Sequence, residues 1–152
     1  MINNETKSVM SKHDIYAAQK VKLKRAVTSG FFYEAILIEY AMLEDRTESA
    51  LRHAGVKTVN SKGYPLMLNE KLNKIKSDAR FSDPFIKKRL TDELLELVRE
   101  WKRKRDALTH ALMKHPPDNE AAETVALEGA GLVRKLENKV RSVNDHRDKQ
   151  AK

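Results

Sequence analysis

"FFYEAILIEYAMLEDRTESALRHAG", residues 31–55, is the stretch on which the fold turns. Phe32, Ala35, Ile36, Glu39, Leu43, Arg46 and Ala50 recur at steps of three and four, which puts them on one helical face. The spacing predicts a helix over residues 31–54, and Gly55 supplies the stop. Two members of that face are charged. Burying Glu39 without a partner costs roughly several kcal/mol, so a partner is expected.

Outward from this helix the same period repeats. Residues 11–27 read as a helix with a thin apolar stripe of Ile15, Ala18, Val21 or Lys22, and Val27. Its other side carries Lys20, Lys22, Lys24 and Arg25. Thr28-Ser29-Gly30 breaks it. Residues 65–79 read as a third helix with Leu68, Leu72 and Ile75 inward. A fourth is expected over residues 84–114, capped by Asp83 and opened by Pro84. Its stripe is Leu90, Leu94, Leu97, Trp101, Leu108 and Leu112, and His115-Pro116-Pro117-Asp118 ends it. The fifth covers residues 119–144, with Val125, Leu132, Leu136, Val140 and Val143 inward. Gly129 and Gly131 weaken its middle and invite a bend. Residues 1–10 and the charged tail 145–152 are expected to be loose. The expectation is an all-α, antiparallel bundle of about five helices forming one domain over residues 1–152.

Composition agrees with that class. The 152 residues are 40% hydrophobic and 34% charged, with only five Gly and four Pro. That is globular rather than disordered. Thirty Lys and Arg against 22 Asp and Glu leave a net +8, which attracts polyanions, nucleic acid first among them. With no cysteine there is no disulfide framework and no thiolate metal site. No apolar run reaches membrane-spanning length and no signal peptide opens the chain, so a cytoplasmic protein without a membrane role is expected.

The charges that need explaining sit in "KRKRDALTHALMK", residues 102–114. Stepping about 100° per residue from Trp101 puts Arg105 about 40° away, at the edge of the core stripe. Asp106 falls at about 140° and His110 at about 180°, both facing outward. Arg105 is thus placed to meet Glu39 at a helix–helix boundary. Asp106 and His110, four apart, are neighbours on the far face. The alternative is structural: Glu39 pairs with Arg105 or Arg46, and His110 is merely solvated.

The segment "RDALTH", Arg105 to His110, resembles the R-x4-6-H motif of the HEPN family (higher eukaryotes and prokaryotes nucleotide-binding). In that family the motif lies late in a long helix, and a polar residue such as Asp106 often follows the arginine. Glu39 is the best match to the acidic residue of an earlier helix, ahead of Asp45 and Glu34. The resemblance implies a metal-independent endoribonuclease without a cofactor. Its homodimer would line one cleft with two motifs, and it would serve as a toxin with an antitoxin or in antiviral defence. His110 would then move the proton as the RNA 2′-hydroxyl attacks the adjacent phosphate. Arg105 would stabilise charge on the phosphorane oxygens, Asp106 would orient the imidazole, and Glu39 would position Arg105. Arg99, Lys102, Arg103 and Lys104 would hold the RNA backbone. The other reading is a non-catalytic helical module that binds RNA or dimerises inside a regulatory or defence complex.

No other constellation competes. His13, His53, His115 and His146 lack metal-ligand spacing. Neither G-x-x-x-x-G-K-[ST] nor G-x-G-x-x-G occurs. Tyr16, Tyr33, Tyr40 and Tyr64 share no spacing and read as packing residues, with Trp101 as a core anchor.

Overall fold

The computed structural model describes residues 10–152; residues 1–9 of the polar start expected to be loose lie outside them. The described chain is all-α: α1 (Lys12–Thr28), α2 (Phe32–His53), α3 (Leu68–Ser77), α4 (Pro84–Lys87), α5 (Asp92–Ala111) and α6 (Asn119–Gln150). A 3₁₀ turn at Ala79–Phe81 precedes α4, and one isolated bridge joins Val59 to Pro65.

The long helix read from residues 31–55 is the centre of the bundle. α2 packs against α6, α1 and α3, while α5 closes over α6 and α3. Ala35, Ile36, Glu39, Leu43 and Ala50 are all buried, as the spacing predicts, with Met42, Thr47 and Leu51 beside them. Gly55 takes φ +75°, which L side chains rarely adopt. In α6 the five expected inward positions are buried. Glu39 of α2 lies by Gly129 of α6, and Ser49 by Asn144. These two longest helices therefore run in the same direction, not antiparallel. α5 runs against α6, because Trp101 bonds Val125 while Arg89, just before α5, bonds Ser142.

Four expectations about helix faces and bounds are also corrected. α1 turns Leu23 and Ala26 inward, and Ile15 and Val21 outward. Its stripe follows Tyr16, Gln19, Leu23 and Ala26, because α2 and α6 approach from that side. α3 begins at Leu68 rather than at Pro65, since Pro65 is held in the bridge and the Glu70 carboxylate accepts the Met67 N–H at 2.7 Å. The expected fourth helix is two: Asp83 caps the one-turn α4, and the Thr91 hydroxyl accepts the Leu94 N–H at 3.1 Å to start α5. That break re-phases the stripe onto Leu94, Leu95, Val98 and Trp101, leaving Leu97 and Leu112 exposed. Finally, residues 145–150 are not a loose tail but the end of α6. His146 stacks on Phe85 at 3.9 Å, and the Arg147 guanidinium lies over Phe81 at 4.9 Å.

α6 passes through Gly129 and Gly131 as one helix. Gly129 marks a close approach instead of a bend. A Cβ there would lie 2.7 Å from Trp101 Nε1 and collide with the Glu39 carboxyl. Gly131 meets nothing within 4 Å.

Candidate functional site

The site begins where α5 leaves the core. Trp101 is fully buried, and its indole N–H donates to the Val125 carbonyl at 2.9 Å. One turn later Arg105 occupies the edge of the same stripe. Its guanidinium lies 4.2 Å over the Tyr40 ring, the arrangement in which a ring face attracts a cation. Its Nη1 donates to Asp106 Oδ1 at 2.8 Å. Lys102 Nζ donates to the other oxygen of Asp106 at 2.6 Å. Partial burial would raise the Asp106 carboxyl, but the hydrogen bonds from Lys102 and Arg105 outweigh it and hold it below the usual carboxylate range. The result is a Lys102–Asp106–Arg105 network braced on an aromatic ring.

His110 stands in the last turn of α5 and is exposed, as its angular position predicts. Asp106 does not hydrogen-bond it, because both carboxylate oxygens are taken by Lys102 and Arg105. The expected orientation of His110 by Asp106 is therefore absent from this chain. Near the end of the helix, Tyr33, Leu108, Leu112 and His115 help line a cleft of about 280 Å³.

Glu39 does not meet Arg105. It is fully buried, and neither carboxyl oxygen has a hydrogen-bond partner among the described residues. Burial pushes its pKa up to about 9, so the group is a neutral acid at pH 7. The cost of burial is met by keeping the proton. A neutral acid facing Gly129 cannot position Arg105 by charge; Tyr40, the next residue on α2, takes that place. Arg46, the other suggested partner, turns to Asp45 (Nε to Oδ2, 3.1 Å) and lies 4.4 Å over the Tyr16 ring.

The four cations expected to hold RNA are all engaged. Arg99 bonds Asn73 and pairs with Glu96 at 3.4 Å. Arg103 lies 4.0 Å from Glu96, Lys102 holds Asp106, and Lys104 pairs with Glu128 at 3.0 Å. Sequence reasoning missed Tyr40 as the seat of Arg105. The available signal was its place one residue after Glu39, on the flank of the α2 stripe. Among the described residues, no three His, Asp or Glu side chains cluster to hold a metal ion, and no helix is long and apolar enough to cross a membrane.

No family model, curated protein or solved structure matches this chain.

Proposed function

We propose that this chain is a metal-independent endoribonuclease in which Arg105 and His110 carry the chemistry. The observation that supports this reading is the division of labour along one helix. Arg105 is anchored on Tyr40 and Asp106, while His110, five residues on, is left exposed to solvent. An anchored guanidinium suits stabilisation of a phosphorane. An accessible imidazole suits proton transfer from a 2′-hydroxyl near neutral pH. Cleavage would leave a cyclic phosphate and a 5′-hydroxyl. One motif presents a single exposed histidine on a convex helix, so a second copy of the chain, facing the first, would close the cleft. The cellular role that fits such an activity is a toxin held by an antitoxin, or an effector of antiviral defence.

The test is incubation of the chain with RNA in EDTA beside His110→Ala and Arg105→Ala. Cleavage by the parent, with loss in both variants, is the expected result. Equal cleavage by parent and His110→Ala, or none by the parent, refutes the reading.

A second reading has its own observation. Asp106 is turned from His110 into the Lys102–Arg105 network, which fits a non-catalytic module that binds RNA or dimerises. It predicts salt-sensitive RNA binding that His110→Ala leaves intact.

A further inference from the structure

A group of cations with unbalanced charge lies away from α5, along the groove between α1 and α6. Two adjoining depressions, of about 350 and 390 Å³, share Lys20 and Glu137 and are floored by Met42 and Arg46 of α2. Lys12, Lys20, Lys24, Arg46, Arg134 and Arg141 line them. Two carboxylates answer these six cations. Asp45 takes Lys12 (3.1 Å) and Arg46, while the buried Glu137 takes Lys20 (3.1 Å) and Arg141 (2.9 Å). Lys24 and Arg134 have no ion pair among the described residues. Four positive charges are left uncompensated along one track. On α5, by contrast, five cations from Arg99 to Arg105 meet Glu96, Asp106 and Glu128.

One aromatic side chain adjoins the cations. Tyr16 lines the wall of the track, with a buried hydroxyl that has no hydrogen-bond partner among the described residues, and the Lys20 and Arg141 side chains beside it are more than half exposed. Cations set along one groove suit a single strand, whose flexible backbone can follow a charged track. α1 gives the groove a length of about 24 Å at 1.5 Å per residue.

We propose that the α1–α6 groove is a binding track for the phosphate backbone of single-stranded RNA. It rests on the reading of this chain as a protein that acts on RNA, and it relocates the backbone contacts from α5 to the opposite side of α2. A strand held there is gripped by charge, and its sequence is not read.

Binding of a fluorescently labelled single-stranded RNA is measured by anisotropy from 50 to 200 mM salt. The variants are Lys24→Gln/Arg134→Gln and, with the same change of net charge, Lys62→Gln/Lys76→Gln. All four side chains are solvent-exposed, so the fold is kept. Four phosphate contacts give a slope of log K against log salt of about −3, and loss of two contacts flattens it by about 1.4. The groove variant is expected to bind about tenfold more weakly at low salt, the control within twofold of the parent. Equal weakening of both variants overturns the proposal, as does an absence of RNA binding by the parent, or binding to phosphatidylserine vesicles in place of RNA. The two readings fail separately. A parent that binds through the groove without cleaving leaves the track standing and removes the ribonuclease. A parent that cleaves while the groove variant binds normally removes the track alone.

Discussion

Replacing Glu39 by glutamine tests the core of the site directly. The carboxyl is fully buried without a hydrogen-bond partner among the described residues, and burial lifts its pKa from 4.5 to about 9. In the folded chain it holds its proton at pH 7; in the unfolded chain it releases it. Unfolding therefore sheds a proton at every pH between those two values. The stability that the protonated group contributes is full below pH 4.5 and falls by about 1.4 kcal/mol per pH unit until about pH 9. Between pH 5 and 8 this one group removes about 4 kcal/mol, to order of magnitude. Glutamine keeps the shape of the neutral acid and does not titrate. Urea unfolding followed by circular dichroism, for both proteins at pH 5, 6, 7 and 8, gives the two stability curves. They should diverge steadily as pH rises, with the glutamine variant gaining on the parent. Its amide donors are unsatisfied at that site and lower its whole curve by about 1–3 kcal/mol, without changing the slope. Parallel curves would refute the reasoning, for they would mean that Glu39 is ionised and paired. In an RNA cleavage assay the same variant separates the two roles considered for this residue. Glu39→Gln should cleave as the parent does, because Arg105 is seated by Tyr40 and Asp106.

The two glycines of α6 should respond in opposite directions. Gly129→Ala drives a methyl into Glu39 and Trp101 and should destabilise by about 1–3 kcal/mol, whereas Gly131→Ala meets open space and should stabilise by about 0.5–1 kcal/mol; thermal melts of the two variants check both. Thr91→Ala removes the hydroxyl that accepts the Leu94 N–H and should cost about 1 kcal/mol in denaturant unfolding.

Local patterns in the chain were enough for the helical class and for the central helix. Steps of three and four recover the buried faces of α2 and α6, because an amphipathic helix must turn its apolar side inward whatever it packs against. Asp83 and Pro84 mark a helix start that the structure keeps. The break before α5 was also legible, in Thr91 followed by Asp92 and Glu93, but the leucines at 90 and 94 carried the period across it. The inward edge of Arg105 and the exposed face of His110 follow from 100° per residue and are both observed.

Which side chain meets which is a different kind of fact. The period says that Glu39 and Arg105 both lean toward neighbouring helices, yet it says nothing about how far each helix is rotated or slid. In the bundle α6 runs alongside α2 and brings Gly129 against Glu39. The gap a missing Cβ leaves there is filled by a neutral carboxyl, and Arg105 settles one residue further on, over Tyr40. The same packing draws Lys102 and Arg105 onto Asp106 and lines α1 and α6 with cations that stand far apart in the chain. Short-range pattern was enough for the helical class and for the buried faces of α2 and α6, since those depend on neighbours within one turn. The partners of the charges came from long-range packing, since a charge pairs with whatever that packing places within a few ångströms of it.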